Sequence, residues 1–561
     1  LGSGVGPAEA LVPTFSIRGD WKDLFKKDVR PAIEGVLLRY IRGRRWFGGK
    51  ARKIQSYAIW DIVPMPFAST VGHMALVRVE YSEGEPEVYV LPMAFASGEE
   101  ANALVGDSPG TVIARVTARG REGITEGVIY DALADAGFCN GLLSAIRGRR
   151  HFRGTASEVA GQPTRAFRRI RGQADGSLQP SLLKAEQSNT SVVYGDRLVL
   201  KVFRRLGEGV NPDWEVGRYL TEKAAFPHTA PVAGAIEYRR RRGEPMTLGV
   251  LHGYVQNEGD AWKYTLDSIG HYFECVLAQP NVSAPTVPAT SLVDLQAEEP
   301  PATVCEAIGS YLASARLLGE RTAELHLALA SATDDPALAR EPFTAGYQRS
   351  VYHQMRSLTV SVLPLLRRRI RNIPEEARED AEKVLALENA IISSFGEALR
   401  RKTAALRIRC HGDYHLGQVL YTGKDFVIID FEGEPARPLG ERRLKRSPLR
   451  DVAGMIRSFD YAVHAALLGQ ASTVIRPDDV PLLTEWGQVW YSWVASNFLG
   501  SYLGRVAPAR LLPDDPEQVS SLLDAFVLAK AVYEVGYELD NRPDWVRVPL
   551  RGILQLMGSR T

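Results

Sequence analysis

The stretch RCHGDYHLGQVLYTGKDFVIIDFEGEP, residues 409–435, gathers acidic, histidine and amide side chains among short apolar segments. The segments VLY and FVIID, separated by a glycine turn, are typical of two short strands, and we expect the second to end at Asp430. HGDYHLGQ then reads as a loop that carries Asp413 and Gln418. Because Asp430 arrives on the neighbouring strand, the three side chains are expected to converge on one point.

Such a group of oxygen atoms fits phosphoryl transfer from a nucleotide. The reaction uses a carboxylate that accepts the hydroxyl proton, an amide oxygen and a second carboxylate on magnesium, and a lysine on the phosphates. Protein kinases arrange the first three as Asp-x-x-x-x-Asn followed by Asp. Here Gln418 stands where Asn would be, and its amide oxygen is an equally hard ligand. The spacing predicts Asp413 as the catalytic base and Gln418 and Asp430 as magnesium ligands.

A lysine for the phosphates is found upstream, in LVLKVF. The alternation places Lys201 in mid-strand among apolar neighbours, where an ammonium group is costly without a partner. Glu215, one turn into the next predicted helix, is the candidate partner. The turn in EQSNTSVVYG could cover phosphates with its backbone N–H groups, although it lacks the glycines of a Gly-rich loop. The residues of this turn are Ser188, Asn189, Thr190 and Ser191.

These candidates also have structural interpretations. Asp413 could cap a turn, Lys201 could extend to a sheet edge, and Glu215 could be a surface acid in a first helical turn. The spacing of Asp413 with its two partners favours the catalytic interpretation for that residue.

The other polar residues of the opening stretch are less specific. His411 and His415 fit structural roles better than metal ligation, with His411 hydrogen-bonded to the loop backbone. Glu432 and Glu434 have two possible roles. They could hydrogen-bond to the magnesium ligands, or they could contact the substrate.

The composition narrows the class of protein. At 561 residues the chain is too long for one ordinary core, and 45% apolar with 24% charged residues is typical of globular proteins. A formal charge of +2 does not favour nucleic acid, although arginines are clumped at several places. The 4 Cys residues lack CxxC spacing and fit a reducing cytoplasm. Since no apolar run reaches the roughly 18 residues of a membrane span, we expect no membrane partner.

Changes of character along the chain predict three subdomains and an α+β fold class. A helical stretch and alternating segments such as HMALVRVEY favour a small sheet in residues 1–125. Strand-like SVVYG and RLVLKVF, then a helix that starts near Pro212 with Asn211 as its N-cap, indicate an α+β unit in residues 126–256. Residues 257–561 are mainly helical.

Several motifs together resemble maltokinase, a bacterial relative of the aminoglycoside phosphotransferases. They are HGDYHLGQ with VIIDFEGEP, SPLRDVAGMIRSFDYA, RTAELHLAL, NPDWEVGRYL and RRWFGGKAR. HGDxHxGQ alone indicates only the wider group of small-molecule kinases. IIDFEGEP together with PLRDVAGMIRSFDYA narrows the resemblance to maltokinase. The resemblance spans nearly the whole chain.

This resemblance implies a protein-kinase-like bilobal fold. Its parts are an N-terminal α+β cap subdomain, a mixed intermediate nucleotide-binding subdomain and a mainly helical C-terminal catalytic lobe. It also implies that ATP, with Mg²⁺, phosphorylates maltose at its anomeric hydroxyl. The product, maltose 1-phosphate, would serve α-glucan (glycogen) synthesis from trehalose.

The resemblance assigns a role to each candidate residue. Asp413 is expected to act as the base, Gln418 and Asp430 to hold magnesium, and Lys201, oriented by Glu215, to contact phosphates. The adenine is expected to meet a hinge that contains Tyr254, Val255 and Gln256. Motif positions suited to the sugar are His411, Glu432, Asp451, Arg457 and Tyr461.

Aromatic residues near the C-terminus offer faces for the C–H surfaces of a sugar. They are Trp486, Trp490, Tyr491 and Trp493. Their helical spacing is more typical of a core stripe than of a binding surface.

The sequence departs from a free-standing maltokinase in three respects. It is longer, it has a Pro-rich interruption at residues 279–302, and it begins with Leu1. We therefore expect the kinase part of a fusion with trehalose synthase. Three alternatives are a kinase for another sugar, such as glucosamine, a non-catalytic module that docks trehalose synthase, and an Arg-rich nucleic-acid binder. The presence of every expected phosphate-handling residue disfavours the second.

Overall fold

The structure, a computed structural model, describes residues 12–558 apart from residues 20, 27, 69, 121–122, 173–177, 184–187, 279–282, 288–289, 472 and 474. The chain divides into two compact units. The first comprises Leu1–Lys223 and Ala230–Val255, and the second comprises Ala224–Thr229 and Gln256–Thr561. The predicted cap and nucleotide-binding subdomains thus share the first unit, and the division into three subdomains stays a prediction.

The first unit is rich in strands. Its strands are β1 (Thr14–Arg18), β2 (Ile54–Phe67), β3 (Thr70–Tyr81), β4 (Glu87–Ser97), β5 (Val112–Gly120), β6 (Gly123–Asp131), β7 (His151–Arg153), β8 (Ser157–Pro163), β9 (Pro180–Leu182), β10 (Asn189–Tyr194), β11 (Leu198–Phe203), β12 (Arg205–Leu206), β13 (Val232–Arg240) and β14 (Met246–Gly253). Its helices are α1 (Arg30–Arg42), α2 (Gly98–Asp107), α3 (Ala136–Arg147), α4 (Phe167–Arg171) and α5 (Pro212–Glu222).

One sheet of this unit has the order β1-β5-β6-β4-β3-β2, with β12 paired to β4. The strand β1 runs parallel to β5, and the remaining pairs are antiparallel. Alternate residues of β3 enter different cores, since Met74 and Leu76 pack in one and Ala75 and Val77 in the other. Both faces of the strand are therefore covered, which explains its nearly continuous apolar run.

A second, antiparallel sheet has the order β7-β8-β13-β14-β11-β10-β9. Lys201 lies in β11 opposite Ser191 on one side and Val250 on the other. The chain then enters α5, whose N-cap is Asn211, because the Asn211 side chain accepts a hydrogen bond from the N–H of Asp213 at 2.8 Å. The predicted strand and helix cap are confirmed.

The second unit is mainly helical. Its helices are α6 (Ala261–Leu277), α7 (Leu292–Leu295), α8 (Ala302–Ile308), α9 (Tyr311–Ala330), α10 (Ala345–Arg369), α11 (Glu375–Ala386), α12 (Glu388–Ala398), α13 (Leu439–Arg442), α14 (Leu449–Ala465), α15 (Val480–Val506), α16 (Pro516–Asn541) and α17 (Arg547–Gly558). Its strands are β15 (Glu341–Pro342), β16 (Leu406–Arg407), β17 (Val419–Tyr421) and β18 (Phe426–Ile428).

The aromatic stripe of α15 lies in the core of this unit. Its members are buried, and they are Trp486, Trp490, Tyr491 and Trp493. The helix packs against α9 and α14. The interpretation as a core stripe is therefore the one that the structure supports. Among the described residues, no helix combines the length and the apolar character that crossing a bilayer requires.

Candidate functional site

The loop that carries Asp413 is held by a buried carboxylate from α14. The N–H groups of His411 and Gly412 donate to the two oxygens of Asp451, at 2.7 and 3.0 Å. His326 of α9 lies 3.1 Å from the same carboxylate through Nε2, and its Nδ1 lies 2.9 Å from the hydroxyl of Tyr502. Asp451 is 2% exposed, so this network fixes the loop from inside the second unit.

The charge of Asp451 is stabilised by these contacts. Burial on its own would raise the pKa of the carboxyl. Favourable contacts outweigh burial and hold the pKa of Asp451 below its usual range. These contacts are the hydrogen bond and charge of His326, the charge of His411 and the N–H of Gly412. An ionised Asp451 accepts stronger hydrogen bonds from the loop backbone.

Further hydrogen bonds fix the rest of the loop. His411 Nε2 lies 2.8 Å from the carbonyl oxygen of Ile429, so its ring ties the loop to the segment after β18. The N–H of Leu416 donates to the Ser458 hydroxyl at 3.1 Å. A Cβ atom added to Gly454 would lie 2.5 Å from the carbonyl oxygen of Tyr414, so α14 approaches the loop backbone as closely as glycine permits. These contacts make the loop rigid.

Gln418 and Asp430 are brought together by the β17–β18 hairpin. The N–H of Ile429 donates to the carbonyl oxygen of Gln418 at 3.0 Å, so Asp430 follows directly after a residue bonded to Gln418. The expectation that the strand ends at Asp430 was wrong by two residues, because β18 ends at Ile428. Asp430 has a φ of 68°, which a strand cannot accommodate. Strained backbone of this kind is common at functional sites.

The donor atoms of this pair suit a hard cation. Among the described residues, no group of three or more His, Cys, Asp or Glu side chains could hold a metal ion. Magnesium rarely needs such a cage, since one or two carboxylates with substrate phosphates and water usually complete its octahedron. An amide oxygen from Gln418 and a carboxylate from Asp430 therefore fit Mg²⁺ bound together with phosphates.

Asp413 lies in the wall of a cavity of about 430 Å³ within the second unit. The cavity is lined by Tyr347, Ser350, Val351, His353, Gln354, Met355, Ser357, Leu358, Gly412, Asp413, Tyr414, Glu434, Arg437, Arg446, Arg450, Asp451, Gly454, Phe526, Ala529, Lys530 and Tyr533. The Asp413 side chain is 24% exposed, and its Oδ1 lies 3.7 Å from Nζ of Lys530 on α16. A carboxylate that is rigidly mounted and partly exposed remains available for proton transfer.

Arginines dominate another part of the cavity wall. Arg437 Nε donates to Glu434, and Arg450 Nη2 lies 3.7 Å from the same Glu434 oxygen. Burial favours the neutral form of Glu434, but the charge and hydrogen bond of Arg437 prevail and lower its pKa. Burial, with the positive charges of Arg446 and Arg437, lowers the pKa of Arg450 to about 10. Two guanidinium groups therefore share one carboxylate here.

Of the residues that the sequence predicted as sugar ligands, only some line the cavity. Asp451 lines the cavity, although its oxygens bind the loop backbone. His411 is 1% exposed, and its N–H and ring form hydrogen bonds that hold the loop in place. Glu432 lies on the segment after β18, with an oxygen 3.9 Å from Arg442 Nη1. Their assignment as sugar ligands stays a prediction.

Arg457 and Tyr461 belong to a buried network between α14 and α16. Arg457 Nε donates to Glu534 at 2.8 Å, and its Nη1 donates to Asp460 at 2.5 Å. The Tyr461 hydroxyl donates to Glu538 at 3.1 Å. Neither residue is among those that line the cavity. The network sets how α16, which carries Lys530, packs against α14.

In the first unit, the predicted phosphate-binding residues surround β10 and β11. Lys201 Nζ lies 5.6 Å from the centre of the Phe203 ring. Glu215 is 9% exposed in the first turn of α5, which argues against a purely surface role. The hydroxyl of Thr190 accepts a hydrogen bond from Arg204 Nε at 2.8 Å. Ser188 precedes β10, and the strand contains Asn189, Thr190 and Ser191.

The predicted adenine hinge follows β14. The N–H of Tyr254 donates to the carbonyl oxygen of Arg197 at 2.8 Å, and the Tyr254 side chain is 42% exposed. The division between the two compact units falls between Val255 and Gln256. A chain segment that joins two compact units is where a hinge is expected.

The cavity residues that sequence reasoning missed include Arg446, Arg450 and Lys530. Lys530 carried a usable signal, because it interrupts the apolar run AFVLAKAV of α16 just as Lys201 interrupts LVLKVF. The two arginines lie in a segment rich in basic residues, where nothing in the sequence separates a cavity residue from a solvated one.

Known proteins share the cap and the fold. The maltokinase N-terminal cap domain family matches residues 40–135. Glucosamine kinase from Streptacidiphilus jiangxiensis is 24% identical over 376 residues, which cover 67% of this chain and 73% of the relative. Glucosamine kinase from Mycolicibacterium smegmatis is 26% identical over 385 residues, which cover 68% and 80%.

Solved structures agree with these matches. The complex of a glucosamine kinase with glucosamine, ADP and inorganic phosphate has a TM-score of 0.58 and 20% identity, and the match covers 92% of this chain and 98% of that one. Crystal form B of a glucosamine kinase has a TM-score of 0.59 and 19% identity, and the match covers 91% of this chain and 96% of that one. The fold is thus the α+β, kinase-like fold expected from the sequence. Within this class the chain resembles the maltokinase-like sugar kinases, as the sequence motifs indicated.

Proposed function

We propose that the chain transfers the γ-phosphoryl group of ATP to the anomeric hydroxyl of maltose and so forms maltose 1-phosphate. The observation that carries the proposal is the position of Asp413, on a rigid loop in the wall of a 430 Å³ cavity. Pockets for small molecules usually measure about 300–1,000 Å³, so the cavity is large enough for a sugar. An acceptor hydroxyl next to Asp413 would lose its proton to that carboxylate.

The remaining roles follow the chemistry of phosphoryl transfer. Gln418 and Asp430 would hold Mg²⁺, which when bound neutralises charge on the phosphates. Lys201, oriented by Glu215, would contact the phosphates. The backbone of the turn at Ser188, Asn189, Thr190 and Ser191 would cover them, and Tyr254, Val255 and Gln256 would meet the adenine.

The charges of the cavity favour a neutral sugar over an amino sugar. Among the described residues that line it, four are cationic, namely Arg437, Arg446, Arg450 and Lys530. Three are carboxylates, namely Asp413, Glu434 and Asp451, and each has a cation or imidazole within 4.0 Å. The ammonium group of an amino sugar would add another cation to this wall, whereas sugar hydroxyls accept hydrogen bonds from guanidinium groups.

Glucosamine is the second candidate acceptor. It is supported by the coverage of the glucosamine kinases, which extends over about two thirds of the chain in sequence and more than nine tenths in structure. In that case the acceptor cavity would use Asp413, Glu434 or Asp451 for the ammonium group.

The proposal also includes a metabolic setting. Maltose 1-phosphate would supply α-glucan synthesis from trehalose in the cytoplasm, with trehalose synthase as a fused or associated partner. The alternative of a non-catalytic module that docks trehalose synthase predicts no turnover of any sugar.

Product analysis tests the proposal directly. The chain is incubated with ATP, Mg²⁺ and maltose, glucose or glucosamine, and phosphorus NMR identifies the phosphorylated position. We expect an anomeric phosphate on maltose and a higher kcat/KM for maltose than for glucosamine. Asp267→Asn, at an exposed acid of α6, serves as the control for Asp413→Asn. A preference for glucosamine would select the second candidate, and failure to phosphorylate every sugar would contradict kinase activity.

A further inference from the structure

Arg446 is a buried cation in the cavity wall whose described contacts include no carboxylate. The residue is 6% exposed and lines the cavity that contains Asp413. Its Nη1 donates to the amide oxygen of Gln354 at 3.2 Å, and its Nη2 donates to the carbonyl oxygen of Glu441 at 3.4 Å. Within the described part of the chain, no carboxylate lies within 4.0 Å of this guanidinium group. Its polar contacts are therefore with neutral oxygen atoms.

A buried cation of this kind is costly. Removal of a charged group from water is compensated only when an opposite charge and further hydrogen bonds replace the water. Arg446 has the hydrogen bonds, and none of the described carboxylates supplies the opposite charge. An anion in the cavity would supply it.

The neighbouring arginine strengthens this argument. Arg450 also lines the cavity, and its nearest carboxylate, Glu434, lies 3.7 Å away and already accepts a hydrogen bond from Arg437. The lowered pKa of Arg450 arises from burial and from the charges of Arg446 and Arg437, so the positive charges at this place repel each other. A ligand that carries negative charge would relieve that repulsion.

The shape of the donors indicates which anion fits. Guanidinium groups present forked N–H donors that match the oxygen atoms of phosphate and carboxylate. Polar side chains from α10 that can form hydrogen bonds border the same cavity, and they are Tyr347, Ser350, His353, Gln354 and Ser357. They would bind hydroxyl groups attached to the anion.

We propose that Arg446 and Arg450 form an oxyanion subsite of the acceptor cavity, which binds the phosphate group of a phosphorylated sugar. The ligand class is a sugar monophosphate, which would occupy the cavity in place of the acceptor sugar. The choice of a sugar as the body of this ligand rests on the proposed function. The anion subsite rests on the arginines alone.

Binding to the full chain without ATP tests the inference. Isothermal titration calorimetry compares glucose 6-phosphate, glucose and inorganic phosphate as probes. We expect glucose 6-phosphate to bind at least about 10-fold more tightly than glucose, because hydrogen bonds to charged groups are among the stronger ones. Arg446→Gln should remove this difference, and Arg446→Lys should keep part of it.

The matched control is Arg356→Gln, which removes the same charge from an exposed position of α10 outside the cavity. It should leave the preference for glucose 6-phosphate unchanged. If Arg446→Gln melts at a lower temperature than the assay permits, Arg450→Gln takes its place, since the Arg450 side chain is 27% exposed.

Two results would overturn the inference. One is equal affinity of the wild-type chain for glucose 6-phosphate and glucose. The other is a preference that Arg446→Gln, Arg450→Gln and Arg356→Gln all leave intact or all reduce equally. The measurement needs no turnover, so a chain that phosphorylates no sugar could still bind the sugar phosphate, and the two proposals can fail separately.

Discussion

Two carboxylates of the same cavity, Asp451 and Asp413, differ in what surrounds them. Asp451 is 2% exposed, and its oxygens bind two backbone N–H groups and His326. Asp413 is 24% exposed, and its ionic partner is Lys530 at 3.7 Å. The first carboxylate has its hydrogen-bonding capacity occupied by the protein, and the second has capacity left for a ligand. We infer that the first stabilises the loop and the second acts on the substrate.

Asp413→Asn should produce the largest effect. The change keeps the size of the side chain and removes the base, so kcat should fall by roughly 10²–10⁴-fold. The melting temperature and the affinity for ATP should stay near the wild-type values. Steady-state kinetics with maltose and differential scanning calorimetry measure both. Wild-type turnover in this variant would show that Asp413 is not the base and that the two carboxylates do not differ in this role.

Asp451→Ala should reduce the stability of the fold, whereas Asp413→Asn should reduce turnover and leave stability unchanged. Its loss leaves two loop N–H groups and His326 without their acceptor, and loss of one partner from a buried pair typically costs about 3–5 kcal/mol. The free energy of unfolding, measured by urea denaturation, should fall by that amount. A stable variant with impaired catalysis would instead point to a role in sugar binding.

The pH dependence of stability refines this prediction. Because the pKa of Asp451 is lowered in the folded state, its ionisation stabilises the fold above the unfolded-state pKa of about 3.9. That contribution is lost as the pH falls below this value. The difference in unfolding free energy between the wild type and Asp451→Asn should therefore stay constant above about pH 5 and shrink as the pH falls below about 4. A difference that stays constant down to about pH 3 would contradict the lowered pKa.

Asp430→Asn should have an intermediate effect. A neutral amide binds Mg²⁺ more weakly than a carboxylate, so the Mg²⁺ concentration needed for half-maximal activity should rise, by roughly 10–100-fold. Titration of EDTA-treated protein with Mg²⁺ measures this change, and Asp267→Asn is again the control. An unchanged Mg²⁺ requirement would exclude Asp430 as a ligand.

Lys530→Met should have the smallest effect of the series. A partly exposed ion pair contributes up to about 1 kcal/mol, so the expected loss in kcat/KM is at most about 5-fold. Lys530→Arg should restore most of it, and stability should change little. A loss as large as that of Asp413→Asn would show that the ammonium group contacts the reacting groups itself.

Local features of the site could be predicted from the sequence. Gln418 and Asp430 are joined through a short hairpin, and Asn211 caps the helix that follows Lys201. Contacts of this kind depend on residues close in the chain, for which spacing and strand alternation are informative. The kinase-like fold could be predicted for the same reason, because the motifs that indicated it are local.

The cavity that contains Asp413 could not be predicted in this way. Its wall combines α10, the loop at Asp413, α14 and α16, which are far apart in the sequence. Arg457 stands in a motif that resembles maltokinase, yet the structure gives it Glu534 and Asp460 as partners. A motif position can therefore reflect helix packing as well as ligand contact, and only the packing separates the two.

The described residues that line the cavity all belong to the second compact unit. None of these lining residues comes from β11, the strand that carries Lys201. We therefore expect the sugar to bind in the absence of nucleotide, as random addition of the two substrates requires. Isotope trapping should accordingly capture labelled sugar from a binary complex with the chain.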